Sequence, residues 1–258
     1  MLRSAAASWT LFFGLLLIMA GNGLQMVLLG IRSSDAGFSN VATGLIMAGY
    51  YLGLFLGSLG VPHILNNVGH VRVFGAMSAI ASAAVLVHAA IIDPYLWTIM
   101  RILTGFSFAG MYIVCESWLN DQSTNETRGQ MLSLYMIVTM AGIAGGQLMI
   151  SFGSETGLEL FLLASVLVSL AVVPILISVG RAPEFLAPER ISLRRIFQIS
   201  PLVVIGLALN GMSIAMVFGM GAVYGKSIGM STSEIGYFMT APVIGALVLQ
   251  YPVGRLSD

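Results

Sequence analysis

Residues 100–118 read MRILTGFSFAGMYIVCESW, an apolar stretch with Arg101 near one end and Glu116 near the other. No other hydrophobic segment of the chain carries a charge in its interior. Because a charge at membrane depth is costly, it usually faces a cavity or a partner. On a helix these two residues lie about 22 Å apart along the axis and roughly 60° apart around it. They share a face but cannot pair with each other, so the stretch predicts a central membrane helix with polar contacts to its neighbours.

The composition places the whole chain in a membrane. Of its 258 residues, 57% are hydrophobic and only 9% are charged, and the mean hydropathy is +0.94. A soluble domain carries about 25% charged residues. The net charge of zero argues against a nucleic-acid partner. Cys115 is the only cysteine, which leaves no internal disulfide and no cysteine zinc cluster. We therefore expect a protein within the lipid bilayer with no metal and no cofactor.

Eight apolar segments are long enough to cross a bilayer, which predicts an all-α membrane protein. The first is too long for a typical signal-peptide core and is followed by further spans, so we interpret it as a retained helix. Short polar loops separate the segments, and the only long charged linker follows the sixth. The predicted spans are residues 8–31, 40–62, 73–92, 95–119, 130–152, 158–179, 199–223 and 234–253.

Basic residues in the loops indicate the orientation of the chain. Arginine and lysine concentrate on the cytoplasmic side of membrane proteins. A cytoplasmic N-terminus leaves only Arg32 and Lys226 outside, with Arg101 inside the membrane. It places on the inner side Arg3, Arg72, Arg128, Arg181, Arg190, Arg194, Arg195 and Arg255. We therefore predict that the N-terminus is cytoplasmic.

Small residues and a weak internal repeat indicate how the helices are arranged. Gly49, Gly53 and Gly57 form a ridge in span two, and such ridges let helices pack closely in lipid. Asn22-Gly23 in span one has a counterpart in Asn210-Gly211 of span seven. A repeat displaced by six spans is parallel, and parallel six-helix halves joined by a linker are one known transporter plan.

Short motifs make the chain similar to the major facilitator superfamily. That family has Gly-x-x-x-Asp-Arg-x-Gly-x-Arg-Arg after its second span. Here the loop reads PHILNNVGHVR, in which Gly69 matches and Arg72 supplies a basic residue nearby, while Pro62 and Asn66 replace the first glycine and the aspartate. A second copy starts as Gly254-Arg-Leu-Ser-Asp258, and Arg101-x-x-x-Gly105 fits the span-four pattern. The phrases VGHVRVF, ESWLND and ETRGQMLSLYM resemble the YcaD-like bacterial group.

The resemblance implies a major facilitator fold in a bacterial inner membrane. Family members have twelve spans and two six-helix bundles, and we expect a monomer if the protein is full length. On that plan, residues 1–179 form the N-terminal bundle, residues 180–198 a cytoplasmic linker, and residues 199–258 the first two helices of the second bundle. The chain is therefore expected to be a fragment truncated after its eighth helix.

The resemblance also places a substrate path between the two halves. Candidate residues for a substrate or ion pathway are Asn22, Gln25, Arg101, Tyr112, Gln147 and Asn210. Candidate gating residues are Arg72, Glu116, Gly254 and Asp258. We predict that Arg101 hydrogen-bonds the amides of Asn22 and Gln25, and that Glu116 pairs with Arg72 at the inner gate. Structural roles stay open for all of them: a tie between spans, an interfacial carboxylate, or amides that join helices.

These expectations favour secondary active transport of a small solute by alternating access. Proton coupling is a hypothesis motivated by Arg101 and Glu116. The chain has no Walker sequence, metal-ligand cluster or nucleophile elbow, so an enzyme is not expected. The alternative is a non-transporting membrane fragment or scaffold that packs against a partner.

Overall fold

A computed structural model describes residues 9–124, 126–153, 158–177 and 193–257. Within these ranges the chain is helical, and eight helical segments are long and apolar enough to cross a membrane. The sixth of these spans, Glu159–Leu176, consists of two consecutive helices. A 3-10 turn, Met149–Phe152, continues α5. The helices are α1 Trp9–Asp35, α2 Asn40–Val68, α3 His70–Ala90, α4 Pro94–Asp121, α5 Arg128–Leu148, α6 Glu159–Leu170, α7 Val172–Leu176, α8 Leu193–Ile199, α9 Pro201–Ser227 and α10 Thr232–Ser257.

Side-chain caps and single glycines set the turns between helices. The Asp93 carboxylate accepts a hydrogen bond from the Leu96 amide at 2.7 Å, and Pro94 follows at the first helical position, where its missing N–H is harmless. Gly69 alone separates α2 from α3 and has φ of +88°. That conformation is costly for residues with a Cβ, so a glycine is required where the chain reverses at this end.

Helix α2 extends beyond its predicted end at Pro62 and continues to Val68. Proline removes one backbone hydrogen bond from a helix. Val61 and Leu65 lie one turn apart on either side of Pro62 and are both buried in the core. Their packing in the core stabilises the helix on both sides of the proline, which explains why the predicted end was wrong.

The longest interface of the fold joins α2 to α4 through the glycine ridge. A Cβ at Gly53 would overlap the carbonyl oxygen of Ile102, and one at Gly105 would overlap that of Tyr50. The two backbones therefore touch directly, as the ridge predicted. This crossing fixes the position of Arg101 on α4 against Tyr50 on α2.

Helix α1 runs through the middle of the first six spans and packs against α5, α6 and α9. Gly142 and Gly146 of α5 lie against Met19 and Ala20 of α1. On the far side, hydroxyl groups join α3 to α6, with Ser82 Oγ 2.7 Å from Ser165 Oγ. Asn22, near the centre of α1, is therefore buried on all sides.

Among the described residues, α9 and α10 contact the first six spans at one end, which we call the closed end. It comprises Gly30, Met47 and Ile150, which lie against Ala222, Gly219 and Gly236 respectively. Lys226 Nζ also forms an ion pair at 3.2 Å with Asp35 Oδ1 at this end. Toward the opposite end of α9, residues 205–214 are exposed.

Candidate functional site

Arg101 lies within the membrane-spanning part of α4 and is only 2% exposed. Its guanidinium carbon is 4.5 Å from the centre of the Tyr50 ring on α2, which is a cation–π contact. The contact depends on the close α2–α4 crossing, because Gly49 leaves room for the Arg101 side chain against α2. The most buried charge of the described chain therefore rests on an aromatic face.

Tyr50 connects this cation to two other helices. Its hydroxyl accepts a hydrogen bond from Asn22 Nδ2 at 3.2 Å and lies 3.4 Å from the hydroxyl of Tyr112. The Tyr112 hydroxyl in turn lies 3.7 Å from Met19 Sδ. Asn22, Tyr50, Arg101 and Tyr112 thus form one buried group, which we call the polar cluster. Three of its members were predicted from the sequence, and the structure brings those three together through the fourth.

The predicted hydrogen bonds from Arg101 to the amides of Asn22 and Gln25 are not formed. Within the described residues, Arg101 Nε and Nη1 have no hydrogen-bond acceptor. Asn22 Oδ1 and Gln25 Nε2 also lack partners there, although both side chains are buried. Tyr50 is the physical reason, because its hydroxyl accepts the hydrogen bond that Asn22 donates and its ring contacts the guanidinium of Arg101.

Aromatic rings border the polar cluster on the side of the closed end. Trp97 lies one turn before Arg101 on α4 and is 1% exposed. Its ring makes edge-to-face contacts with Phe38 and His88. His88 is buried, with Nδ1 2.6 Å from the Ala84 carbonyl oxygen, so Nδ1 donates.

Glu116 has a different partner from the one predicted. Its Oε1 accepts a hydrogen bond from the Tyr135 hydroxyl of α5 at 3.2 Å, and the ion pair with Arg72 is not formed. His70 Nε2 lies 3.0 Å from Ser117 Oγ, so His70 of α3 faces α4. Residues two apart on a helix point about 200° apart. Arg72 is therefore turned away from α4 and exposed.

The remaining predicted residues lie apart from the polar cluster. Gln147 on α5 is fully buried, and neither of its amide atoms has a partner within the described ranges. Asn210 lies on the exposed face of α9. Gly254 lies in the last turns of α10, and Asp258 is outside the described residues. The structure therefore does not bring Asn210 to Asn22.

Tyr50 is the central residue that the sequence reasoning missed. It sits inside the glycine ridge of α2, directly after Gly49. A tyrosine hydroxyl within a membrane span needs a hydrogen-bond partner. That requirement, together with the position of Tyr50 on a ridge of close helix contact, could have identified Tyr50 from the sequence.

An apolar cavity of about 540 Å³ lies beside the cluster, between α2 and α9. Its walls include Tyr51 and the methionines Met47, Met212 and Met216. The Tyr51 ring packs edge-to-face on Tyr50 at 5.5 Å. No group of histidine, cysteine or acidic side chains suited to a metal ion occurs in the part of the chain that the structure describes.

We predict that Tyr50→Phe destabilises the protein by about 1 kcal/mol, because it leaves the Asn22 donor without its acceptor. The apparent Tm of the detergent-purified protein should fall by roughly 2–4 °C. Tyr224→Phe is the matched control, since Tyr224 is 56% exposed on α9. Equal Tm values for the two variants would contradict the role of the Tyr50 hydroxyl.

The fold and the buried polar cluster define a polytopic α-helical membrane protein with contacts between its helix groups at one end. The sequence matches the Major Facilitator Superfamily over residues 11–258. The chain belongs to that family.

Two curated relatives, both from Salmonella, extend this result. The chain is 26% identical over 250 residues to the uncharacterized MFS-type transporter YcaD of Salmonella arizonae, covering 96% of this chain and 65% of the relative. The YcaD protein of Salmonella typhi is 25% identical with the same coverage. The chain therefore spans about 65% of the length of these curated relatives.

A solved structure of a related transporter has the same fold. It is a bacterial homolog of the human lysosomal transporter Spinster, in an inward-facing and unoccupied conformation. The TM-score is 0.72 at 14% sequence identity, and the alignment covers 96% of this chain and 60% of the other.

Proposed function

We propose that this protein takes part in secondary transport of a small solute by alternating access, in the inner membrane of a bacterium. The relatives named above are described as MFS-type transporters, which supports the class of activity. The proposed domains are residues 1–179 and 199–258, joined by a cytoplasmic linker at 180–198. The N-terminus is cytoplasmic in this proposal, because that orientation places most basic loop residues inside.

The observation that carries the proposal is the one-sided contact between α9 or α10 and the first six spans. Gly219, Ala222 and Gly236 touch the first six spans at the closed end, whereas most of α9 toward the other end is exposed. Two helix groups that touch at one end can rock about a site at mid-depth. With a cytoplasmic N-terminus, the closed end is the outer end and the opening faces inward.

The polar cluster is the proposed substrate site. Asn22 lies midway along α1 and Tyr50 ten residues from the start of α2, so both lie deep in the membrane. Polar groups at such depth mark substrate and ion pathways. Gln25 and Gln147 are assigned to the same pathway because each is buried with an amide atom that has no partner within the described residues.

The experiment that tests transport uses the purified chain in proteoliposomes. The vesicles are incubated with a mixture of small cytosolic solutes, and their contents are measured by mass spectrometry against protein-free liposomes. We expect at least one solute to accumulate in a protein-dependent way. No protein-dependent solute, combined with co-purification of a membrane partner, would favour the scaffold alternative and contradict autonomous transport by this chain.

Protons are the proposed coupling ion, with Glu116 as the carrier. Glu116 lies within a membrane-spanning helix, hydrogen-bonded to Tyr135, with Cys115 beside it and Tyr112 one turn earlier on α4. An ionisable residue in such a position is by default a functional candidate.

We predict that Glu116→Gln abolishes the part of solute movement that an imposed pH gradient drives, because the amide cannot bind and release a proton. The measurement compares transport with and without a protonophore. Glu126→Gln, at an exposed loop position, is the matched control and should keep the gradient dependence. A Glu116→Gln protein that still responds fully to the gradient would remove Glu116 as the carrier.

A further inference from the structure

Arg101 has no compensating charge among the residues that the structure describes. Its side chain is 2% exposed, and neither Nε nor Nη1 finds an acceptor within the described residues. Its one close partner is the Tyr50 ring, which offers a quadrupole but no negative charge. The ion pair of the closed end joins Lys226 to Asp35 and does not include Arg101. A buried charge that lacks both a counter-charge and hydrogen bonds is strongly unfavourable.

A second unpaired donor lies on the neighbouring helix. Gln25 is 1% exposed, and its Nε2 has no acceptor in the ranges that the structure describes. It lies three residues after Asn22, so the two side chains share one face of α1. Asn22 contacts the Tyr50 hydroxyl, and Arg101 covers the Tyr50 ring. Both α1 and α4, the helices that contact Tyr50 through Asn22 and Arg101, thus carry a buried donor without an acceptor among the described residues.

We infer that the polar cluster binds the carboxylate of a small organic monoanion, with Arg101 as the counter-charge and Gln25 as an additional donor. One guanidinium neutralises one negative charge, so a monoanion leaves the buried site without net charge, whereas a dianion does not. Charge-assisted hydrogen bonds from arginine to carboxylate are among the strongest in proteins. The inference rests on the proposed function and names the substrate class for that site.

The surroundings favour an anion with an apolar body. Tyr51 packs on Tyr50, the residue whose ring contacts Arg101. Tyr51 also lines the cavity between α2 and α9, whose other walls are methionine, glycine and alanine. Methionine adapts to apolar ligands of varied shape. An aromatic or short-chain aliphatic carboxylate therefore fits these surroundings better than formate.

The test is binding of benzoate to the purified chain, measured by thermal unfolding. Benzamide is the control ligand, because it has the same ring and no charge. At about ten times Kd, benzoate should raise the apparent Tm by roughly 3–6 °C, and benzamide should not. A rise that benzamide matches, or that the same concentration of chloride reproduces, would overturn the assignment to a carboxylate. So would no rise with any of benzoate, cyclohexanecarboxylate and hexanoate.

Variants connect the binding to the named residues. Arg101→Gln should abolish the benzoate-induced rise, and Arg128→Gln, the same change at an exposed position, should leave it intact. If Arg101→Gln does not yield folded protein, Gln25→Ala decides the matter, since it keeps the cation and should weaken benzoate binding several-fold. A rise that either variant leaves unchanged would overturn the inference.

This binding assay is independent of transport. Arg101-dependent binding of benzoate without solute movement would contradict the proposed function and leave the anion site standing. Solute movement that neither benzoate nor Arg101→Gln affects would contradict the anion site and leave the proposed function standing.

Discussion

Gly105→Val is expected to be among the most destabilising single substitutions in the membrane core. A Cβ at this position would overlap the Tyr50 carbonyl oxygen and approach the Leu54 amide nitrogen at 3.0 Å. Both are backbone atoms of α2, so no side chain can rotate away to make room. Overpacking of a core costs about 1–3 kcal/mol or more. Because the clash is with backbone atoms, we expect a cost near the upper limit of about 3 kcal/mol, which lowers the apparent Tm by roughly 6–12 °C or abolishes the folded yield.

The matched control for this prediction is Gly145→Val. Gly145 also lies inside a membrane helix, but no atom comes within 4 Å of an added Cβ. The change in helix propensity is the same in both variants, and only Gly105→Val forces α2 and α4 apart. Equal losses of stability would mean that propensity, and not the direct backbone contact, decides the effect. Because Arg101 reaches Tyr50 across this crossing, Gly105→Val should also abolish benzoate binding in any folded fraction.

A disulfide across the closed end is expected to stop transport completely and reversibly. An added Cβ at Gly219 lies 3.2 Å from the Met47 Cβ, close to the spacing of about 3.5–4.5 Å that disulfides require. Met47→Cys with Gly219→Cys, in a Cys115→Ala background, should therefore cross-link on oxidation. If the ends must part for each cycle, transport falls to the protein-free level and returns when the disulfide is reduced.

Gly44→Cys with Gly211→Cys is the matched control pair. Both positions line the cavity between α2 and α9, yet no atom lies within 4 Å of an added Cβ at either one. This pair should not cross-link readily, and oxidation should leave transport unchanged. Full transport by a completely cross-linked Met47–Gly219 pair would contradict a cycle that opens the closed end.

The membrane fold could be predicted from the sequence because it follows from composition and span length, and neither depends on which side chains meet between helices. A run of about 20 apolar residues forms a helix in lipid whatever its neighbours are, since every backbone group must be paired within it. Helix ends were harder to place. The position of Pro62 suggested an end, but burial of Val61 and Leu65 decided the matter.

The site was only partly predictable because partners depend on which way each helix is turned. Charge within a span identified Arg101 and Glu116 as residues that need partners. The sequence could not show that Tyr50 would lie beneath Arg101, or that Tyr135 and not Arg72 would reach Glu116. Asn210 shows the limit of the repeat argument, since it lies on an exposed face of α9 although its sequence position mirrors Asn22.

The most direct test of alternating access measures the open end while the closed end is held shut. Spin labels at Val68 and Leu202, both exposed and at the ends of α2 and α9 opposite the closed end, report the distance between the two helix groups by electron double resonance. Without a cross-link we predict two populations of distances, one shorter and one longer. With the Met47–Gly219 disulfide formed before labelling, only the longer population should remain. One unchanged distribution in both samples would contradict the rocking of the two groups about the polar cluster.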